Sequence, residues 1–171
     1  AERIPNTLVI TLTSLVIAIF IGVGIGVLSA IKQYSILDYI FMILALVGVS
    51  MPIFWLGLML VNLFSVQLGW LPALGMGSMS KGIGDVISHM VLPCFCLATI
   101  PTATFARITR SSMLEVIRSD YIVTARAKGL SERDILYKHA LPNALIPIIT
   151  VVGNGMGMML GGTVVIESVF S

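Results

Sequence analysis

Residues 4–31 read IPNTLVITLTSLVIAIFIGVGIGVLSAI, 28 positions with no charged side chain, held between Arg3 and Lys32. A helix needs about 20 apolar residues to cross a hydrocarbon core of roughly 30 Å, so this stretch alone sets the solvent for which the chain is built. Working outward, three more uncharged runs follow: 39–80, 86–106 and 140–166, of 42, 21 and 27 residues. The sequence therefore predicts four membrane-spanning helices, near 7–31, 39–68, 86–106 and 142–166. The long second run must close before Gly69-Trp70-Leu71-Pro72, because Gly75, Gly77, Gly82 and Gly84 come next.

Composition agrees. Of 171 residues, 57% are hydrophobic and 11% charged, against roughly 45–50% and 25% in soluble domains; the mean hydropathy is +1.04. Disorder is excluded, and a soluble enzyme lacks the polar groups to cover its surface. A net charge of +2 argues against a nucleic-acid partner. Two cysteines, Cys94 and Cys96, are too few for a disulfide framework or a zinc module. The first run is too long for a signal peptide. None of the runs alternates as barrel strands do, so helices remain the way to satisfy the backbone in lipid. The chain opens at Ala1-Glu2-Arg3 and stops at Val169-Phe170-Ser171 just beyond a span, the pattern of the central part of a longer polypeptide.

Charge sets the orientation. Lys32 and seven basic residues of 107–139 fall on one side of four spans, Arg3 and Lys81 on the other, eight against two. The positive-inside rule puts 107–139 in the cytoplasm. Trp70 and Tyr34 fall near span ends, where amphipathic rings favour the interface. A tether needs only a few residues, so the segment is oversized for a connection. It reads as helices: 104–117 carries the third span out of the membrane, Ser119 or Asp120 caps a short helix over 121–128, and Gly129 stops it. Ser131 with Asp134 opens a second helix through His139, which Pro142 either ends or leads into the next span at its first turn.

From Ala125 the spacing is three residues to Gly129, then twelve to Pro142, with Leu141 before it. This resembles the EAA loop of ABC-importer permeases, with Val123, Thr124 and His139 departing from the generic form. The run Asp120-Tyr121-Ile122-Val123-Thr124-Ala125-Arg126-Ala127-Lys128-Gly129-Leu130-Ser131 is similar to the oligopeptide, dipeptide and nickel branch of that family. So are Gly48-Val49-Ser50-Met51-Pro52-Ile53-Phe54-Trp55 and Gly161-Gly162-Thr163-Val164-Val165-Ile166-Glu167-Ser168-Val169-Phe170-Ser171. The resemblance implies an all-α, polytopic integral membrane bundle, the central part of a six-span MetI-like permease fold, with 1–171 as one transmembrane domain. It implies a non-enzymatic subunit in a bacterial or archaeal inner membrane, forming half of a pathway for peptides or nickel-type ligands. Implied partners are a second homologous permease, cytoplasmic ABC ATPases that bind ATP and Mg, an extracytoplasmic substrate-binding protein and the lipid bilayer. The coupling helix would involve Asp120, Tyr121, Thr124, Ala125, Arg126, Ala127, Lys128, Gly129, Leu141 and Pro142. Arg126 and Lys128 could reach lipid phosphate or acidic groups. Spacing alone also allows an amphipathic helix lying on anionic lipid.

Small residues recur every four positions at Ala18, Gly22, Gly26 and Ala30, and at Gly153, Gly157 and Gly161. Each set is a helix-packing face, within the bundle or against a second permease, or an interface that slides. Of the intramembrane polar residues Asn62, Thr99, Thr102, Thr104, Thr150, Asn154 and Thr163, the best candidates to line a solute path are Thr150 and Asn154; interhelical hydrogen bonding is the other reading. His89 and His139 stand alone at span edges, Glu167 marks a boundary, and Pro52 and Pro101 interrupt spans two and three. Cys94 and Cys96 point to different helix faces, which opposes a metal site. No catalytic constellation, cofactor motif or metal cluster is visible. A stand-alone secondary transporter or channel is the alternative function; it would need ionisable groups at mid-membrane or an inverted repeat.

Overall fold

The computed structural model describes residues 4–75, 77 and 79–170, without the side chains of residues 4–6, 79, 158, 164 and 167. Arg3 and the Glu167 side chain, both used in the sequence reading, lie outside that set. The described residues form helices and loops with no strand: α1 (Ile4–Ile31), α2 (Ile36–Ser50), α3 (Ile53–Leu60), which continues as a π-helix over Val61–Gln67, a 3-10 turn (Met79–Lys81), α4 (Ile83–Ile117), α5 (Asp120–Ala127), α6 (Glu132–Asp134) and α7 (Leu141–Phe170).

Among the described residues, α1, α4 and the stretch Glu132–Gly157 are long and apolar enough to cross a bilayer as single helices. The second span is different. It breaks between Ser50 and Ile53, and its halves meet at 104°. Met51 (φ −84, ψ 131) and Pro52 (φ −60, ψ 132) are both extended, because the ring of Pro52 pushes the preceding residue out of the helical region.

Contacts between helices show that this bent pair still traverses the bundle. Cys94 Sγ approaches Ile10 O at 4.0 Å, Gly22 lies against Phe105 and Ala106, and Arg118 bonds Gln33 at 3.3 Å. So α1 and α4 run parallel. Thr11 and Thr163 share a hydrogen bond of 2.8 Å, so α7 runs against them. Asp38, at the start of α2, binds Arg110 near the end of α4. The loop after the π-helix lies at the opposite end, where Gly75 N–H donates to Phe170 O at 2.9 Å. One end of the molecule therefore gathers the α1–α2 turn, the end of α4, α5, α6 and the start of α7. Tyr34 is at that end and Trp70 at the other.

The small-residue stripe of α1 does pack. Ala18 and Ala30 are buried, and a Cβ on Gly26 would sit 2.4 Å from Thr109 Cβ and 2.6 Å from Ala106 O. Lipid tails supply little hydrophobic drive between helices, so such close approach is what holds them. The stripe on α7 does not pack within this chain: a Cβ on Gly153, Gly157 or Gly161 meets nothing within 4 Å. Nor does Pro101 interrupt the third span. α4 runs unbroken through Pro93 and Pro101 for 35 residues, about 52 Å at 1.5 Å per residue. That exceeds a hydrocarbon core by roughly 20 Å, so α4 projects well beyond it, as its basic end foreshadows.

Candidate functional site

The projecting end of α4 hands the chain to α5. Ser119 occupies the N-cap position of α5, but its hydroxyl donates back to Val116 O at 2.6 Å and closes α4 instead. At the other end, Gly129 adopts φ +80. Its N–H donates to Arg126 O (2.9 Å), and that of Leu130 to Ala125 O (3.3 Å). This pair of bonds is a Schellman stop. It gives the motif spacing a physical cause: Ala125 is the third residue from the helix end, and Gly129, four further on, must be left-handed. Leu130 and Ala125 then pack against one apolar cluster.

That cluster seats α5 on the bundle. Ile122 is fully buried among Met113 of α4, Val27 and Ala30 of α1, Ile135 and Ala140 of the π-helical turn, and Ala144 of α7. Leu141 packs at its edge. Tyr121 Oη donates to His139 O at 3.4 Å and accepts from Asn143 Nδ2 at 3.1 Å, tying α5 to the start of α7. The opposite face, with Val123, Thr124, Ala127 and Lys128, is exposed, as are Asp120, Arg126, Gly129 and Pro142. Asp120 O accepts from Thr124 Oγ1 at 2.9 Å.

Across the Gly129 turn, Arg126 grips Glu132 with Nε–Oε1 at 2.7 Å and Nη2–Oε2 at 3.2 Å. This guanidinium holds the Glu132 carboxyl below its ordinary value and raises its own. Ser131 caps α6 as its spacing predicts, accepting from Asp134 N–H at 3.1 Å. The second loop helix is, however, no separate piece. A π-helical turn, Ile135–Ala140, joins α6 to α7 without a break. Pro142 has no N–H to give Lys138 O, and the wider turn absorbs that lost bond. The loop is thus one short helix, one glycine joint, and a second arm continuous with the last span.

Above this assembly lies a buried ion pair that local sequence signals did not reveal. Asp38 is 1% exposed. It accepts from Arg110 Nε and Nη2, both at 2.7 Å, from the Ser29 hydroxyl and from Tyr34 N–H at 3.0 Å. Tyr34 takes φ +63, unusual for a residue with a side chain, and the bond to Asp38 offsets that strain. The pair locks the α1–α2 turn to α4.

The candidate path residues divide. Thr150 is exposed, and its hydroxyl turns back to Ile146 O at 3.4 Å. Asn154 lines a largely apolar hollow of about 350 Å³ between α3, α4 and α7, with Ile100, Pro101 and Thr104. Thr163 bonds Thr11 across helices. Thr99 and Thr104 bond carbonyls of their own helix, and Asn62 accepts from Gln67. His89 Nδ1 lies 2.7 Å from Asp85 O. Cys94 turns to α1 and Cys96 to Ile53 O at 3.3 Å, on different faces. Among the described residues no cluster of three or more His, Cys, Asp or Glu could hold a metal.

These features define a polytopic α-helical membrane domain with a helical arm presented at one end. The chain belongs to the family described as the binding-protein-dependent transport system inner membrane component, which matches residues 22–171. It is a multi-pass inner-membrane protein. It is 48% identical to a dipeptide transport system permease protein of Alkalihalophilus pseudofirmus, an alignment that covers 96% of this chain and 56% of that protein. It is 45% identical to an oligopeptide transport system permease protein of Bacillus subtilis (99% and 54% covered), and 42% to a glutathione transport system permease protein of Salmonella choleraesuis (100% and 53%). The chain thus spans about half the length of the curated relatives it matches.

Proposed function

We propose that residues 1–171 are the transmembrane domain of a permease subunit in an ATP-driven importer of peptide-class solutes. The dipeptide, oligopeptide and glutathione systems of the relatives support the solute class; nickel-type ligands belong to the same branch by resemblance only. The subunit forms half of the path, a homologous permease the other half. A binding protein delivers solute, and separate ATPases hydrolyse ATP.

The observation that carries this reading is the seating of α5. Ile122 is sunk at 0% exposure between three spans, Tyr121 is tied to α7, and the remaining face is free for a partner. A push on that face moves a rigid body jointed at Gly129, and it reaches α4 at Ser119 and α7 through the continuous α6 arm. The positive-inside rule turns this end to the cytoplasm, where ATPases reside. Asp120, Thr124, Ala127 and Lys128 supply the gripped surface, and Arg126 with Glu132 holds the corner.

The test is uptake by vesicles that contain the complete complex and binding protein. A labelled tripeptide crosses the membrane only when ATP is supplied on the side that carries the ATPases. Equal uptake without nucleotide would favour a stand-alone transporter and overturn the proposal.

A further inference from the structure

The exposed side of α4 that faces neither α1 nor the apolar hollow beside α2 carries a stripe of polar groups. Thr104, Arg107 and Ser111 recur at three- and four-residue spacing, with the apolar Ile108 among them, so they share one helix face. With Met42 of α2 and Arg110 they line an open hollow of about 450 Å³. Thr104 also lines the hollow that holds Asn154, so the two meet along α4. By contrast, the hollow between α1, α2 and the other side of α4 is lined by groups such as Ile21, Phe41, Leu44 and Phe95.

Charge in the polar hollow is uneven. Arg110 is neutralised by Asp38 at 2.7 Å. Arg107 has no ion pair among the described residues and is exposed. It is also not at the helix end. Gly26 packs on Ala106 and Thr109, which sets Arg107 level with a point about five residues, or roughly 8 Å, inside the end of α1. An unpaired guanidinium about a turn and a half inside the basic end of the bundle, on the wall of an open hollow, suits an anionic ligand.

Resting on the permease reading above, we propose that Arg107, with the Ser111 hydroxyl one turn further along the same face, accepts the carboxylate of a peptide-class solute on its way to the loop end. Ser111 adds a donor of the kind that carboxylates take, while the Thr104 hydroxyl is committed to Ile100 O. The adjoining apolar hollow near Asn154 accommodates the side chains of the same solute. A lipid phosphate has the same oxyanion chemistry and is the competing source.

The experiment uses the full complex in vesicles and two probes, trialanine and its C-terminal amide. The readout is the ratio of their uptake rates in wild type, Arg107→Gln and Arg107→Lys, so that any preference of the binding protein cancels. The proposal expects Arg107→Gln to slow the free acid about ten-fold or more and the amide less than about two-fold, with Arg107→Lys recovering much of the loss. An equal fall for both probes, or no fall, overturns it. So does a loss that tracks anionic lipid, appearing in vesicles with phosphatidylglycerol and vanishing in phosphatidylcholine alone, because Arg107 then serves the bilayer. If wild type takes up neither probe with ATP, the permease reading itself has failed, and that outcome is distinct from the others.

Discussion

Breaking the Asp38–Arg110 pair separates a structural clamp from a surface charge contact. Asp38 is 2% exposed at its side chain and Arg110 23%. Removing one partner of a buried pair costs about 3–5 kcal/mol, because the other charge is left stranded. Asp38→Ala strands Arg110, which can still reach water, so the lower end, about 3 kcal/mol, is expected. Arg110→Ala strands Asp38, which keeps Ser29 and Tyr34 N–H as donors; about 3–4 kcal/mol is expected there. The double variant removes both charges, so its cost falls well short of the sum. A coupling energy of about 2–3 kcal/mol should emerge, far above the roughly 0.5 kcal/mol scatter of independent sites. Denaturant unfolding of the protein in micelles, followed by tryptophan fluorescence, measures the cycle. Raising salt from about 0.05 to 0.5 M should leave the coupling nearly intact, because buried pairs are weakly screened. A coupling below about 0.5 kcal/mol, or one that salt abolishes, would refute the argument.

Four further outcomes are expected. Gly26→Val forces α1 from α4, since even its Cβ would meet Thr109 Cβ at 2.4 Å; cysteine crosslinking between the two helices should fall, and a loss of roughly 2 kcal/mol or more should appear in unfolding. Ile122→Ala leaves a cavity under α5 and costs about 2–5 kcal/mol locally, visible as faster amide exchange through residues 120–127. Gly129→Ala places a side chain at φ +80, costing about 1–2 kcal/mol, and should raise amide exchange at positions 129 and 130 while α1 stays protected. The Glu132 carboxyl is held below its ordinary value by Arg126, so its contribution is present above the unfolded value and disappears as pH falls through the folded one. Exchange at the corner should rise over that acidic window in the wild type and show no such step in Glu132→Gln.

Helix-length runs of apolar residues announced the membrane and the number of crossings, because lipid permits few alternatives. The Ala125-to-Gly129 spacing and the Ser131–Asp134 cap were readable because each is a local rule of helix ends. Pro52 signalled a disturbance in the second span, but its 104° bend depends on what α3 packs against. Pro101 gave the same signal and broke nothing. The first small-residue stripe proved to be a packing face and the second faces nothing in this chain, although both have the same spacing. Asp38 looked like a span boundary: its partner Arg110 is 72 positions away, and no pattern along the chain links them. Ile122 escaped notice because one isoleucine in a short helix has no periodicity to reveal it.

The most direct measurement is crosslinking from Ala127→Cys, a site on the exposed face of α5, with the buried Cys94 and Cys96 replaced. In the assembled, transporting complex, this thiol should crosslink to the nucleotide-hydrolysing subunit with a yield that changes between nucleotide-free and ATP-trapped states, and should be shielded from impermeant reagents applied outside the cell. Labelling from the outside, or an active complex in which no such crosslink forms in either state, would contradict the account.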